Sequence, residues 1–512
     1  MRRFLPTLLL LAGCTGPGPA DPGPDDSGGS DSSDSDTATV DSRPDPRDSD
    51  DTDTDTDTGV PPVDTDEPLP PSCSVDLPAG PCPPGSTCRA DGRCLLELDP
   101  GDPPDGLGAA WSAYVAWARP RELAEAHLPV TWTGLEATVA SGLASASTAY
   151  EAAWRMTEGV GTLRQGHTWL QVDALCDVDP GLSSRRSDAG ACVVEDEGQL
   201  VVYAAEAGTP WRVGDVLVAL DGRPAAALVA DRLAQPRCAL TAPSEAARRA
   251  EAVASLLLRG SASGDVVVRG VDGRRRTFTR PLRPPVLDCD GRIPPAGEVD
   301  LGGNVLRTDL PGGVVLVRLP RLGGSSGPPG PEASVAALRG LVQGLPSGTP
   351  VIVDLRSVQG GYPGVVDALA GWALPDGSPL RTCTDRVAPG EGGTVGPSTL
   401  PSVAEDGVVL DGPLAVLTDH ATYGAPEYLP LAWRDRALLV GHPGYGSYGL
   451  SGGYRATGLR GAVDARRCDD AQGLPLEGRP PPLDLEVGLH RADVAQGVDT
   501  VIEAARRALL SP

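Results

Sequence analysis

The feature that most constrains the fold is an alternation of apolar strands and amphipathic helices that runs from residue 312 to residue 510. Residues 314–319 and 351–355 are runs of mostly Val, Ile and Leu, as in strands that are buried on both faces of a sheet. Each run is followed by a segment with helical spacing of its apolar residues, at 334–342 and 364–373. The same pattern continues with a strand at 414–418, a helix at 425–432 and a strand at 437–441. Strand, helix and strand in this order form the βαβ unit of a parallel sheet, so we predict an α/β core.

Two segments of different character precede this core. Residues 111–163 are rich in Ala, Leu and Glu at helical spacing, and they predict a small helical unit that ends in a strand at 169–172. The next segment mixes strands with helices and contains Asp272-Gly273, a hairpin signal, so it predicts a compact α+β domain. We place the boundaries at 101–185 for the helical region, 193–285 for the α+β domain and 300–512 for the core.

The N-terminus has the pattern of an exported protein. Arg2 and Arg3 precede an apolar run at 4–12 that is too short to cross a bilayer as a helix. Residues 11–14 resemble the bacterial lipobox, which implies that 1–14 is a lipoprotein signal peptide and that Cys14 is acylated. An ordinary secretory signal with a chance cysteine is the alternative.

This pattern predicts an extracytoplasmic protein that is lipid-anchored to a bacterial membrane through Cys14. Thr15 follows the anchor where an Asp would resemble the signal for inner-membrane retention, so we expect the outer membrane or the cell surface. The sequence does not decide which leaflet is used.

Residues 15–72 form an acidic segment built from Asp, Ser, Thr, Pro and Gly. It holds 17 acidic residues against two arginines, in a chain whose formal net charge is −26. With almost nothing to bury, it is predicted to be a disordered, extended linker. Weak calcium binding by the Asp-Thr repeat at 51–58 is the less favoured alternative. The chain has no basic patch with aromatic residues, so we expect no nucleic-acid partner.

Ten cysteines besides Cys14 predict up to five disulfides in an oxidising compartment. Four of them fall in a module at 73–97 and are Cys73, Cys82, Cys88 and Cys94. Disulfides are favoured there over zinc because no histidine lies near. The other six are Cys176, Cys192, Cys238, Cys289, Cys383 and Cys468. Pairing by sequence proximity predicts Cys176–Cys192, Cys238–Cys289 and Cys383–Cys468, one of 15 possible connectivities.

Five strings carry a resemblance to a known family. In chain order they are QGHT at 165–168, GTPWRVGDVLVALDGRPAA at 208–226, VIVDLRSVQGG at 351–361, TYGAPE at 422–427 and a tail at 476–487 with 497–499. They resemble the tail-specific, or carboxyl-terminal-processing, serine peptidases, which include the tricorn core peptidases and the retinoid-binding repeats. The second string resembles a PDZ domain, which binds an extended peptide as an added strand. The resemblance implies a ClpP/crotonase-like βαβ core, preceded by a helical unit and a PDZ-like α+β domain.

The resemblance also implies where the nucleophile belongs. Thr422, Ala425 and Glu427 match the family motif Thr-x-Ser-Ala-x-Glu without a gap, so the serine position is Gly424, which has no hydroxyl. The bacterial processing branch uses a lysine base, but this chain contains no lysine and has Ser447 near that position.

The tricorn-like branch uses a histidine in the upstream motif, and His167 matches it as a candidate base. Glu477 matches a downstream glutamate of that branch. Backbone N–H groups of Ala425 and of Gly360 or Gly361 would form the oxyanion hole. A purely structural role for His167 is the alternative, and the glycine at the nucleophile position favours it.

Together these residues predict a surface-anchored protein that binds an extended peptide or unfolded protein segment and whose serine-type peptidase activity is impaired. One alternative is an active endopeptidase with His167 as base and a displaced nucleophile. The candidate hydroxyls for that role are Thr422, Tyr423, Ser447 and Ser451. A small-ligand carrier is another alternative, and a large apolar pocket would favour it. The spacing of His420 and His442 does not indicate a metal site, and we expect no metal and no cofactor.

Overall fold

The computed structural model describes fourteen stretches of the chain between residues 86 and 511. They are 86–88, 94–96, 106–123, 129–172, 186–187, 189–234, 243–257, 264–280, 287–323, 330–386, 394–449, 451–456, 459–470 and 472–511. The predicted signal peptide, the acidic linker and Cys14, Cys73, Cys82, Cys176 and Cys238 lie outside the described residues. None of the described helices is long and apolar enough to cross a membrane.

The described helices and strands follow in chain order. The helices are α1 Leu107–Ala118, α2 Trp132–Ser145, α3 Ala149–Gly161, α4 Ala225–Ala234, α5 Glu245–Ala254, α6 Pro331–Gln343, α7 Pro363–Ala373, α8 Tyr428–Ala432, α9 Arg491–Val494 and α10 Thr500–Leu510. The strands are β1 Ser86–Cys88, β2 Cys94–Leu96, β3 Trp169–Val172, β4 Arg186–Ser187, β5 Ala191–Asp196, β6 Gln199–Ala205, β7 Val216–Leu220, β8 Arg223–Pro224, β9 Asp265–Arg269, β10 Arg275–Thr279, β11 Leu287–Asp288, β12 Val299–Asp300, β13 Leu306–Leu310, β14 Val314–Arg318, β15 Val351–Asp354, β16 Pro379–Arg386, β17 Thr394–Pro401, β18 Leu414–Thr418, β19 Leu438–Gly441, β20 Ser451–Ala456, β21 Leu459–Asp464, β22 Arg466–Asp469 and β23 Leu485–Glu486.

A seven-stranded sheet forms the α/β core that the sequence predicts. Its strand order is β12-β13-β14-β15-β18-β19-β23. The five strands from β14 to β23 are parallel, and β12 and β13 join them in antiparallel fashion. Alternate residues of β15 serve opposite faces, with Val353 in the cluster that includes α6 and α7 and Ile352 in the cluster that includes α10. Burial on both faces explains why these strands are uninterrupted apolar runs.

The core helices begin where the local sequence favours it. α6 and α7 each start with a proline in the first helical turn, where a missing N–H has no cost. α10 is capped by Asp499, whose carboxylate accepts hydrogen bonds from the backbone N–H groups of Val501 and Ile502. The predicted helix at 425–432 begins with a 3-10 turn at Ala425–Glu427 before it continues as α8.

The helical unit consists of α1, α2 and α3 and shares its core with the three-stranded sheet of β20, β21 and β3. Thr131 and Thr148 cap α2 and α3 through their side-chain oxygens. β3 pairs with β21, which also pairs with β20, so the C-terminal part of the chain completes this unit. The Tyr114 hydroxyl donates a hydrogen bond to the Ala462 carbonyl across the junction. This pairing fixes the segment just before β3 against the core.

The predicted α+β domain contains a six-stranded antiparallel sheet with α4 and α5. The strand order is β10-β9-β7-β6-β5, and β8 pairs with β7. The hairpin predicted at Asp272-Gly273 is confirmed, since β9 and β10 pair on either side of it and Gly273 has φ 78°. Its identity as a PDZ domain stays a prediction.

Two disulfides connect elements that are distant in sequence. Cys383–Cys468 is confirmed and joins directly paired positions of β16 and β22. The predicted pairs Cys176–Cys192 and Cys238–Cys289 are wrong, because Cys192 is bonded to Cys289 with a Cα–Cα distance of 5.3 Å. Proximity in sequence misled here because strand pairing of β4 with β11 brings the two segments together.

Candidate active site

Two loops meet at the carboxyl edge of the parallel sheet, where open α/β folds place their ligands. One follows β15 and the other follows β18. They are joined by an isolated bridge between Gln359 and Tyr423. The Gly360 N–H donates to the Tyr423 carbonyl at 2.7 Å, and the Tyr423 N–H donates to the Val358 carbonyl at 3.0 Å. These bonds bring the glycine turn of the first loop beside Gly424 of the second.

The Asp-Leu-Arg motif at the end of β15 anchors the loop that follows this strand. The Arg356 guanidinium donates to both carboxylate oxygens of Asp354, at 2.9 and 2.8 Å, and to Asp499 at 3.1 Å. Arg356 is 2% exposed and Asp354 is 1% exposed. Burial opposes ionisation of Asp354, but the neighbouring Arg356 charge and hydrogen bonds hold its pKa below its ordinary value. The motif is therefore a buried ion cluster that anchors the loop.

Gly424 lies where the resemblance places the serine, and its backbone suits a residue without a side chain. Its φ and ψ are 71° and −125°, a conformation that other residues adopt only under strain. A Cβ built on Gly424 would lie 3.6 Å from His167 Nε2 and 3.6 Å from Gly360 Cα, which is ordinary van der Waals contact. A side chain at position 424 would therefore fit, and it would face the His167 ring.

His167 is held with a defined ring orientation. Its imidazole stacks on Tyr423 with a centroid distance of 4.8 Å. Its Nδ1 lies 2.8 Å from Ser447 Oγ, and the Ser447 hydroxyl donates to Glu477 Oε1 at 3.1 Å. A hydroxyl has one hydrogen, so when Glu477 is ionised Ser447 Oγ accepts the second bond from Nδ1–H. This assigns the proton to Nδ1 and leaves the lone pair of Nε2 directed towards position 424.

Burial determines the charge states of His167 and Glu477. Burial, aided by the Arg466 charge, lowers the pKa of His167 to about 3, so the ring is neutral at neutral pH. Burial raises the pKa of Glu477 to about 7, against the opposing effect of hydrogen bonds from Gly166, Tyr448 and Ser447. The sequence matched His167 and Glu477 to family positions, and the structure brings both to the site.

Ser447 connects His167 with Glu477, and sequence reasoning missed this role. It was a candidate nucleophile, but its side chain is fully buried between His167 and Glu477. A Cβ built on Gly166 would overlap with Ser447 Oγ, so the glycine of the QGHT string is needed for this approach. The 280 residues between Ser447 and His167 left no local signal of the contact.

Glu427 ties the two sides of the site together. Its carboxylate accepts hydrogen bonds from the backbone N–H groups of Gly424 at 3.1 Å, Gly446 at 2.5 Å and Ser447 at 2.9 Å. Burial raises the pKa of Glu427 to about 8, although these three N–H groups favour the charged form. The glutamate of the TYGAPE string therefore sets the distance between the Gly424 turn and the Ser447 loop.

The predicted oxyanion donors are not equivalent. The Gly360 N–H is already bonded to Tyr423, so it is not available to a ligand. Ala425 is the first residue of the 3-10 turn, where backbone N–H groups have no partner within the helix. Gly361 follows Gly360 in the same loop with φ 104°. The geometry thus favours Ala425 and Gly361 as the donor pair and corrects the choice of Gly360.

No family model matches the chain, and no curated protein does. Among solved structures, mature CPAF matches with a TM-score of 0.59 and 14% identity over 79% of this chain and 96% of that one. Mature CPAF complexed with lactacystin matches with a TM-score of 0.58 and 14% identity, over 79% and 98%. The photosystem II D1 C-terminal processing protease gives a TM-score of 0.43 and 18% identity, over 79% and 97%. The chain has the fold of the tail-specific, carboxyl-terminal-processing peptidases.

In this fold, the candidate hydroxyls of Thr422 and Tyr423 are occupied by internal contacts. Thr422 is fully buried, and its Oγ1 lies 3.1 Å from the Leu355 carbonyl and accepts from the Asp419 N–H at 3.0 Å. The Tyr423 hydroxyl donates to the Gly166 carbonyl at 3.1 Å. Ser451 begins β20, and its side chain lies outside the described part of the structure.

His420 and His442 form a separate stacked pair, with a centroid distance of 4.7 Å. His420 Nδ1 lies 3.1 Å from the Pro443 carbonyl. Burial, with the neighbouring His442, lowers the pKa of His420 to about 4. Among the described residues, no group of His, Cys, Asp and Glu side chains could hold a metal ion.

Proposed function

We propose that this protein binds extended peptides or protein tails outside the cytoplasm and has lost serine-type peptide hydrolysis. The observation that supports the proposal is Gly424, which lies beside the Nε2 of His167 where the resemblance places a serine side chain. Loss of the nucleophile costs a serine peptidase on the order of 10⁶ in turnover. The backbone donors beside Gly424 can still hold a peptide carbonyl without that side chain.

A cavity in the α+β domain, beside its six-stranded sheet, supports peptide binding. It has a volume of about 240 Å³ and lies between β7 and α4, with Leu200, Val216 and Val229 in its lining. Arg269 and Arg275 add positive charge to the lining, whereas Arg249 is paired there with Glu195. Apolar walls with arginines near suit the C-terminal end of a peptide, which carries a carboxylate. Strand β7 pairs with both β6 and β9, so the peptide would enter this cavity without adding a strand to the sheet.

The first test compares the full chain with its Gly424→Ser and Gly424→Ala variants. We expect no labelling of the natural protein by a fluorophosphonate, which reacts with activated serines. Gly424→Ser should be labelled and should cleave an unfolded protein, whereas Gly424→Ala adds the same Cβ without the hydroxyl and should do neither. Labelling of the natural protein would contradict the loss of serine chemistry.

The peptide-binding half has its own measurement. Fluorescently labelled peptides with a free or an amidated C-terminus would be titrated with the full chain and followed by anisotropy. We expect the free-carboxylate peptide to bind more tightly, and Arg269→Gln to reduce that preference. No saturable binding of either peptide would argue against the proposal.

An active peptidase with a displaced nucleophile is the second candidate. The chain from Glu477 through Ser447 to His167 favours it, because the base keeps its orienting partners. Ser447 itself is on the Nδ1 side of the ring and fully buried, away from position 424. Cleavage of unfolded protein that survives Gly424→Ala and is lost with His167→Ala would favour this candidate.

The membrane anchor is proposed from Cys14 alone. In a bacterial host, the natural chain should take up a radiolabelled fatty acid and partition into detergent. Cys14→Ser should remove both properties. Equal labelling of the two chains would refute lipid attachment at this cysteine.

A further inference from the structure

We infer that the site uses water in place of the missing hydroxyl, with His167 as the base that activates it for direct attack on a bound carbonyl. No acyl-enzyme forms on this route. The inference rests on the proposed function, because it acts on a carbonyl compound that the groove binds. It assigns the site a slow hydrolytic activity of its own.

Position 424 has space beside the His167 ring. A Cβ there would be 3.6 Å from His167 Nε2 and 3.8 Å from Cε1, with Gly360 Cα as the other near atom. Apart from the neighbouring residues 423 and 425, no atom lies closer than these, so the Cβ of a side chain at 424 has room beside the ring. A water somewhat nearer to Nε2 than this Cβ position would be within the 2.6–3.2 Å or so that a general base needs.

The lone pair of His167 Nε2 points towards position 424. Because Ser447 donates to Glu477, its oxygen accepts from Nδ1–H, and Nε2 is free to accept a proton from water. Tyr423 packs against the ring and prevents it from turning away. The base is thus fixed in the tautomer that proton abstraction requires.

The backbone N–H groups of Ala425 and Gly361 are the donor pair for the developing oxyanion. Ala425 follows position 424 directly, and Gly361 follows the residue whose Cα borders the open space. Backbone donors at this place act on the carbonyl oxygen whichever nucleophile attacks the carbon. Removal of the serine side chain leaves them unchanged.

The reaction balances with water as the only added reactant. The water oxygen bonds to the carbonyl carbon while one water proton moves to His167 Nε2, and the carbonyl electron pair moves to oxygen. The carbon–leaving-group bond then breaks, and Nε2 returns the proton to the leaving amine or alkoxide. The products are a carboxylic acid and an amine or alcohol.

The expected rate is modest, because burial lowers the pKa of His167 to about 3 and makes the ring a weak base. Serine peptidases stripped of triad members retain about 10³–10⁴-fold acceleration over water from the oxyanion hole and binding. We expect an acceleration of about 10³-fold for an activated ester, which needs little help in expelling its leaving group. Amide hydrolysis should be far slower, in keeping with the loss of peptidase activity.

The test uses the full chain and a p-nitrophenyl ester of a short acetylated peptide. We expect steady release without a burst, no inhibition by a fluorophosphonate, and no mass increase of the protein quenched during turnover. Gly424→Ala fills the water position and His167→Gln removes the base, and each should reduce the rate at least tenfold. Gly340→Ala is the matched control, because this glycine has open space around it and lies in α6, away from the site.

Each outcome has one meaning. Gly424→Ser should show a burst and an acyl adduct, which demonstrates a folded site even if the other variants lose activity. A rate no higher than buffer, or one that Gly424→Ala and His167→Gln leave unchanged, would overturn the inference. An acyl adduct on the natural protein would overturn it too. Tail-peptide binding measured on the same preparation tests the proposed function separately.

Discussion

The two sides of the candidate site differ in completeness. On the base side, His167, Ser447 and Glu477 form a continuous buried chain. On the nucleophile side, the backbone of Gly424 has kept its special conformation, but the side chain is absent. The difference has a physical reason, since buried hydrogen-bonded groups are costly to remove one at a time, whereas a glycine at positive φ relieves strain. Retention of the base side is therefore compatible with the proposed loss of serine-type peptide hydrolysis.

The largest expected effect tests the support beneath both sides. Arg356→Met would leave Asp354 and Asp499 buried without their cation, and loss of one partner of such a cluster costs about 3–5 kcal/mol. Urea unfolding should show this loss in the free energy of unfolding. Arg307→Met, at a partly exposed arginine paired with the exposed Asp309, is the control and should change stability by less than about 1 kcal/mol. Equal effects of the two variants would mean that the cluster does not anchor the edge.

The next prediction separates the two sides with matched substitutions. Gly166→Ala places a Cβ on Ser447 Oγ and should destabilise the protein by about 1–3 kcal/mol through overpacking. Gly424→Ala meets no close atom, so its cost should be the backbone strain alone, about 1–2 kcal/mol. The sharper readout is the His167 ring, which NMR should show disturbed in Gly166→Ala and preserved in Gly424→Ala. A disturbed ring in both variants would erase the distinction between the sides.

The carboxylate that links the two sides predicts a pH dependence of stability. Folded Glu427 keeps its proton up to a pKa of about 8, whereas the unfolded chain releases it near 4.5. Between these values the folded state binds more protons, so stability falls as pH rises, by up to about 1.4 kcal/mol per pH unit. Glu427→Gln should flatten the fall measured between pH 7 and 8 by urea unfolding.

The lower pH range separates Glu427 from the other titrating groups. Glu477, with a pKa raised to about 7, acts in the same direction as Glu427. The buried His167, with a pKa lowered to about 3, acts in the opposite direction below its ordinary value and adds little above pH 7. Glu477→Gln is the matched variant and should flatten the curve mainly below pH 7. A natural protein whose stability rises from pH 7 to 8 would contradict the prediction.

Sequence patterns predicted the core well and the site only in part, for physical reasons. β14, β15 and β18 are continuous apolar runs because both of their faces are buried, and that requirement is visible locally. The hairpin of β16 and β17 was missed because β17 is exposed along its whole length and shows no apolar alternation. Gly424 could be located through its neighbours in the motif. The contact of Ser447 with His167 could not, because it depends on two segments that meet only in the folded chain.

The smallest effect concerns Ser447, and it asks what the base side still does. Ser447→Ala leaves Nδ1 of a buried imidazole without its acceptor, which should cost about 1 kcal/mol of stability. Its distinctive effect is on the tautomer, because without the Ser447 oxygen the proton is no longer fixed on Nδ1. The ¹⁵N shifts of His167 should move towards a mixture of tautomers.

The same variant has a consequence for catalysis in the Gly424→Ser background. There, Ser447→Ala should lower kcat by about 10- to 100-fold with little change in KM, since it acts on the base and not on substrate binding. A structural role alone would move the melting temperature and leave kcat and the nitrogen shifts unchanged. In that case the base side would be a remnant held by packing, and the open position beside Gly424 would have no base oriented towards it.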